Sequence, residues 1–149
     1  MKEVRVNAIK DGTVIDHIPS EYTFKVAEIL GIKNAKSVVS VASNLASKTS
    51  GLKGIIKVED FLLKEKDVQK IALIAPQVTL SIVHDYKVIS KHKLTLPEEV
   101  GDLIRCNNKN CITNYEKIKT RFIIESIEPL RLRCHHCENY IGKSEIELK

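Results

Sequence analysis

Cys106-Asn107-Asn108-Lys109-Asn110-Cys111 and, further along, Cys134-His135-His136-Cys137 decide how the last third of the chain is built. Four residues lie inside the first pair, two inside the second, and twenty-two separate the pairs. A tetrahedral zinc needs two close pairs of thiolates brought together from distant segments, each pair aimed at the ion by a turn. Asn107, Asn108 and Asn110 supply that turn chemistry in the first knuckle. The competing readings are a redox-active pair at Cys134 and Cys137, or reduced thiols without a role. A lone two-residue pair would leave the equally close first pair unexplained. The expectation is therefore one structural Zn2+ per chain, held by Cys106, Cys111, Cys134 and Cys137. Four thiolates leave no open position for catalysis, so His135 and His136 read as exposed turn residues.

Around the cysteines, 117–126 and 130–133 read as short strands, which makes the module a small all-β domain. Its apolar residues, Phe122, Ile123, Ile124, Ile127, Leu130, Leu132 and Ile146, promise only a thin core, so metal binding is expected to be part of its folding energy. Arg105, Lys109, Arg131 and Arg133 are near enough in sequence to offset the charge of a four-thiolate centre.

Upstream, Leu94-Thr95-Leu96-Pro97-Glu98-Glu99-Val100-Gly101 has the composition of a linker, and every cysteine lies beyond it. Domains are placed at 1–97 and 101–149. In the first, Val4, Val6 and Ala8 alternate with polar residues, and Asp11-Gly12 precedes a strand at 13–15. Pro19-Ser20-Glu21 opens a helix carrying Phe24, Ala27, Ile29 and Leu30 and closed by Gly31. A strand at 36–42, a Ser/Gly/Lys-rich loop at 44–54 and a strand at 55–58 follow. Leu63, Val68, Ile71 and Ala72 then mark a second helix before Pro76, and Val78, Leu80 and Ile82 a further strand. A turn near His84-Asp85 leads into a final strand from Tyr86. The order β-α-β-β-α-β with a hairpin extension predicts an α+β fold. It is the ferredoxin-like pattern, an antiparallel sheet with two helices on one face.

The 149 residues, 43% hydrophobic and 29% charged, are those of a folded chain rather than a disordered one. The absence of an apolar run near the roughly 18 residues of a membrane span, and of an apolar leader after Met1, sets the expectation of a cytoplasmic protein without membrane contact. The formal charge of +5 raises the question of polyanionic partners. Residues 1–100 carry 15 Lys/Arg against 12 Asp/Glu, and 101–149 carry 9 against 7, so neither part is strongly basic. Metallation by four thiolates brings the second part to about zero. With no Trp, three Phe and four Tyr there is little for base stacking, which argues against nucleic acid.

Asp16-His17, after an apolar strand and before Pro19, reads as an acid-base pair, a ligand contact at a strand end, or a capped turn. Nothing beside it supplies a nucleophile. Lys57, between Ile56 and Val58, reads as a solvated strand lysine or as a ribose or phosphate contact. Lys91 and Lys93, with His92 between them, either hold a triphosphate as point charges or blunt an edge strand.

Taken together, Ala8-Ile9-Lys10-Asp11-Gly12-Thr13-Val14-Ile15-Asp16-His17-Ile18-Pro19, Ile56-Lys57-Val58-Glu59, Ala75-Pro76-Gln77, Cys106-Asn107-Asn108-Lys109-Asn110-Cys111-Ile112 and Cys134-His135-His136-Cys137-Glu138 resemble the regulatory chains of aspartate carbamoyltransferase, nearly end to end. The resemblance implies a non-catalytic chain with an allosteric α/β domain and a zinc domain that docks on the catalytic chain. It further implies a homodimer through the N-terminal domains and nucleotide effectors, CTP and ATP with UTP as a further candidate, acting on pyrimidine biosynthesis. Carried over residue by residue, Val6, Ala8, Ile9 and Tyr86 would read the base. Asp16 and Lys57 would hold ribose and base, and His17, Val88 and Lys91 would line the phosphates. Ser81 belongs to the same site, and it and Lys93 stand where bacterial relatives have Asn and Arg. Asn108, Asn110 and Glu138 match positions that contact the catalytic chain.

Two rival readings carry their own tests. A zinc-ribbon nucleic-acid binder would give a salt-sensitive gel shift with random DNA or RNA. An enzyme working through Asp16-His17, or a redox protein working through Cys134 and Cys137, would turn over as the isolated chain.

Overall fold

The apolar run after Asp11-Gly12 becomes β1 (Gly12–Pro19), the central strand of a five-stranded antiparallel sheet. The computed structural model describes residues 9–48 and 51–149. After β1 come α1 (Thr23–Leu30), β2 (Val39–Ser47), β3 (Gly51–Glu59), α2 (Glu65–Ile74), β4 (Thr79–His84) and β5 (Lys87–Lys93). The spatial order β2-β3-β1-β4-β5, with every pairing antiparallel, is the ferredoxin-like arrangement with one added edge strand.

Directly paired residues share a sheet face, so the register separates the two faces. Thr13, Ile15, Ile56, Val58 and Leu80 fall on one face and are buried. Gly54, two residues before Ile56, shows what covers that face: a Cβ placed there would lie 2.0 Å from Thr23 Oγ1. The first turn of α1 thus rests directly on the backbone of β3, and only glycine permits that approach. α1 buries Thr23, Val26 and Leu30 and ends at Gly31, whose φ of 67° supplies the left-handed cap. Phe24, expected on the apolar stripe, is 72% exposed, because the stripe runs through 23, 26 and 30 instead. In α2 the buried residues are Ile71, Ala72, Leu73 and Ile74. Fully buried side chains such as Ile15, Ile56, Ile71 and Leu73 contribute about 1.5–3 kcal/mol each.

The expected loop over 44–54 is a hairpin. β2 runs on to Ser47 and β3 starts at Gly51, with Leu45, Ala46 and Ser47 opposite Lys53, Leu52 and Gly51. Composition pointed to a loop, but ladder hydrogen bonds to a paired neighbour outweigh weak strand propensity. A bulge at Ser43-Asn44, with Asn44 at φ 62°, absorbs one extra residue and lets the strand continue. β1 carries a matching bulge at Asp16-His17, with His17 at φ 61°.

The chain divides into two units, with the division between Thr95 and Leu96. The second holds β6 (Glu99–Gly101), β7 (Ile104–Arg105), β8 (Arg121–Ile127), β9 (Leu130–Cys134), β10 (Tyr140–Gly142) and β11 (Glu147–Leu148). Strands β10-β9-β8-β6 make one sheet and β11-β7 a two-stranded ribbon. Phe122, Leu132, Ile104 and Ile141 are fully buried, joined by Val100 and Leu103. Of the residues expected inside, Ile127 is 60% exposed, since it ends the hairpin opposite Leu130. The core is small, as its composition indicated. Among the described residues no helix is long and apolar enough to cross a membrane.

Candidate functional site

The four cysteine sulfurs converge, all lying within 4.8 Å of one another. Cys106 follows β7, Cys111 opens a short 3-10 turn, Cys134 ends β9 and Cys137 sits in the turn that follows. The sulfurs of Cys106 and Cys137 are 3.7 Å apart, and those of Cys111 and Cys134 3.8 Å. A tetrahedron with zinc–sulfur bonds near 2.3 Å places its sulfurs about 3.8 Å apart. A disulfide needs about 2.05 Å. The donor set therefore fits a tetrahedral, thiolate-binding metal ion.

Backbone donors complete the cluster. The Asn108 N–H points at Cys106, those of His136 and Cys137 at Cys134, and that of Asn139 at Cys137. Burial pushes the Cys106 and Cys134 thiols up. At Cys137 burial acts the same way but is outweighed by the Asn108 side chain, the Asn139 N–H and the neighbouring thiols, and it settles at about 7. The Thr113 hydroxyl lies 3.1 Å from Cys111 Sγ. Such donors are what a charged four-thiolate centre needs. Three of the four cations expected to offset it are engaged elsewhere: Arg105 with Glu147 at 3.3 Å, Arg133 with Glu125 at 2.7 Å, and Arg131 over the Tyr140 ring. His135 and His136 are exposed, as a turn position implies. Asn108 holds the first knuckle from within, its Oδ1 accepting the Asn110 N–H at 3.0 Å, and Asn114 Nδ2 donates to the carbonyls of Cys106 and Asn108.

On the first unit, the sheet face opposite the helices carries a groove of about 300 Å³. Lys57 pairs with Val14, Val14 with Ser81 and Ser81 with Lys91, so these four residues form one row across β3, β1, β4 and β5. With strands about 4.8 Å apart, such a row spans about 14 Å and has a lysine at either end. Ile9, Asp16, Ile55, Val83, Tyr86 and Val88 complete the polar and apolar lining. Seven of the ten residues expected at a nucleotide site, Ile9, Asp16, Lys57, Ser81, Tyr86, Val88 and Lys91, thus line one groove. Val6 and Ala8 lie outside the described residues. His17 is not in the lining; its Nδ1 lies 3.1 Å from Thr79 Oγ1.

Sequence reasoning missed Val14, Ile55 and Val83, which floor the groove, and Lys53, which reaches its edge. In the apolar run 13–15 the alternation is hidden, yet period two already puts Val14 opposite Ile15. Lys53 Nζ donates to Asp16 Oδ1 at 2.9 Å, and the His17 N–H donates to the same oxygen. Burial works against the Asp16 charge, but these donors outweigh it and hold the carboxyl below its ordinary range. Asp16 therefore stabilises the fold above its unfolded pKa, and this contribution is lost as pH falls through the lower folded value. Lys53→Met should lower the melting temperature most near neutral pH, and the gap from the wild type should close as the solution is acidified through the carboxylate range. Thermal melts across that range check this; a gap independent of pH would contradict it.

A small sheet with a cation-ended groove, followed along the chain by a four-cysteine cluster that fits a metal ion, defines a two-unit protein with a candidate ligand groove and a candidate metal centre. Comparison with known proteins agrees. Residues 4–95 match the family described as aspartate carbamoyltransferase regulatory chain, allosteric domain, and 98–147 match its metal binding domain. The chain is 49% identical to the aspartate carbamoyltransferase regulatory chain of Thermococcus gammatolerans over 98% of its length and 97% of that relative. It is 48% identical to that of Pyrococcus horikoshii, over 98% and 97% of the two chains, and 41% identical to that of Parabacteroides distasonis, over 99% and 96%. The chain belongs to the family of aspartate carbamoyltransferase regulatory chains, and it is a regulatory rather than a catalytic subunit.

Proposed function

We propose that the first unit binds nucleoside triphosphates in the groove on its helix-free face, and that the second, folded around zinc, docks on the catalytic chain of aspartate carbamoyltransferase. Binding of CTP, ATP or UTP then shifts the activity of the partner and so regulates pyrimidine synthesis in the cytoplasm. The carrying observation is the row Lys57-Val14-Ser81-Lys91, which offers two separated cations and a hydroxyl beside the Asp16 carboxylate. A nucleoside triphosphate is long, anionic at one end and rich in hydroxyls and ring donors at the other. Lys91 serves the phosphates with Val88 in the same lining, His17 being assigned to that end by resemblance although it lies outside the lining, while Lys57 and Asp16 take ribose and base. Ile9 and Tyr86 close the base end, to which the family resemblance also assigns Val6 and Ala8.

On the second unit, zinc supplies a fixed tetrahedral anchor when bound, and Cys106, Cys111, Cys134 and Cys137 hold it. The exposed Asn110 and Glu138, with Asn108 behind them, present the docking surface. Glu138, at φ 62°, is held in place by its N–H bond to the Cys134 carbonyl, 2.9 Å. Two regulatory chains join through their N-terminal domains, so that each pair bridges two catalytic assemblies.

The groove reading is tested by calorimetry. Lys91→Ala should weaken CTP and ATP by about tenfold or more while leaving nucleosides nearly unchanged, because only phosphates feel the charge. Lys57→Ala should weaken nucleosides and triphosphates alike. Equal losses for both ligand classes in both variants would overturn this assignment.

A further inference from the structure

We infer that Asp11, which lies outside the groove lining, is a positioning residue for its base end and sets how sharply the groove separates one base from another. The inference rests on the nucleotide reading above. β4 and β5 are joined by Asp85-Tyr86, with His84 paired to Lys87. Both turn residues are left-handed, at φ 50° and 64°. A two-residue hairpin of this type favours Asn or Asp followed by Gly, because its second position also needs positive φ. Tyr86 occupies that position with a bulky side chain that disfavours it, so the backbone there persists only if its surroundings impose it.

The segment Lys10-Asp11 imposes it. Asp11 Oδ1 accepts the Asp85 N–H at 2.9 Å and lies 2.9 Å from His84 Nδ1. The Lys10 carbonyl accepts the Tyr86 N–H at 2.9 Å. The Asp11 carbonyl in turn accepts the Asp60 N–H at 3.0 Å, anchoring the segment to the end of β3. Ile9, immediately before this segment, and Tyr86, immediately after the clamped turn residue, are both groove-lining residues. The Asp11 carboxylate therefore ties the segment that follows Ile9 to the turn that carries Tyr86. Its ion pair with His84 is exposed and weak by itself. What matters is the backbone bond, a charged acceptor on a turn N–H. Because the Tyr86 N–H is spent on Lys10, only its carbonyl and side chain are left to meet a base.

Lys91 sits opposite Ser81, three residues along β4 from the turn at His84, so loosening the turn leaves the phosphate end in place. The expected signature is a loss of base discrimination with no loss of the phosphate contribution. Asp11→Ala, Asp11→Asn and His84→Gln in the full chain are titrated with cytidine, CTP and ATP. In Asp11→Ala the ratio of CTP to ATP affinity should move toward unity by about 3- to 10-fold. The ratio of CTP to cytidine affinity should stay at its wild-type value. Asp11→Asn keeps an acceptor for the Asp85 N–H and should restore most of the discrimination, and His84→Gln, altering an exposed side chain, should change it least. Equal weakening of CTP and ATP, an unchanged CTP to ATP ratio, or a wild type that binds both alike would overturn the inference while leaving the nucleotide site standing. A wild type that binds none of the three would overturn the nucleotide reading itself, and this inference with it.

Discussion

Cys134→Ser should leave the second unit unfolded at room temperature while the first unit stays folded and still binds nucleotide. Size is the first cause. Residues 96–149 bury few large side chains, chiefly Phe122, Leu132, Ile104 and Ile141. A domain of that length has little net stability of its own. Structural zinc in small modules contributes about 10–16 kcal/mol at neutral pH, far more than such a core supplies. Cys134 is a fully buried member of the cluster, ending β9 opposite Phe122, and its sulfur lies 3.8 Å from that of Cys111. A serine there takes a thiolate out of the shell and leaves the His136 and Cys137 N–H groups a neutral, shorter-reaching hydroxyl in its place. Metal analysis of the wild type should give one zinc per chain and of the variant close to none. Circular dichroism should show a loss of strand signal, with one cooperative melt remaining, that of the first unit. A folded variant that retains zinc would break the link between metal and fold, and a zinc-free variant still able to join the catalytic chain would refute the docking role.

How far the amino-acid sequence reveals these features depends on the physical signal behind each. The convergence of the four cysteines is legible because two close pairs of thiols at such spacing suit little besides a metal. The sheet order follows from alternating apolar runs broken by Asp11-Gly12, Gly31 and Pro76. What stays hidden is register. The bulges at Asp16-His17 and Ser43-Asn44 each insert one residue, which period-two reading cannot locate, and the second turns an expected loop into a hairpin. Groove residues that resemble a family motif are found, whereas Val14 and Val83, whose only signal is the face they occupy, are not. Lys53 escapes notice because its contact with Asp16 spans two strands paired far apart in sequence. The charge balance around the cysteines is hidden in the same way. Nearness in sequence suggests arginines, but in the fold those arginines meet Glu147, Glu125 and Tyr140, and backbone N–H groups face the sulfurs.

The second large effect expected concerns coupling. Alone, the chain should have no carbamoyl-transfer activity. Reconstituted with catalytic chains, it should change the aspartate dependence of carbamoyl aspartate formation, and CTP and ATP should shift that dependence further. An effector achieves this only by binding two states of the assembly unequally. A coupling of about 1–3 kcal/mol corresponds to affinity changes of about 5- to 150-fold. The covalent route between the two units is short. Leu94 is buried and donates its N–H to the Val78 carbonyl in the first unit, and the Glu98 carbonyl accepts the Ile124 N–H in the second, which leaves Thr95-Leu96-Pro97 between them. Pro97 fixes one of the few rotatable bonds of this stretch, so a change at the end of β5, where Lys91 would meet phosphate, has little slack in which to dissipate. Lengthening the link by two glycines after Leu96 should therefore preserve nucleotide binding and zinc content while reducing the nucleotide-dependent shift. Reciprocity supplies an independent check, since a bound substrate analogue must alter nucleotide affinity by the same factor that the nucleotide alters its own. The deciding measurement is a set of aspartate saturation curves for the reconstituted complex without nucleotide, with CTP and with ATP. Superimposable curves, obtained while calorimetry shows the nucleotides bound, would make this chain a structural bridge and remove it from the regulatory circuit.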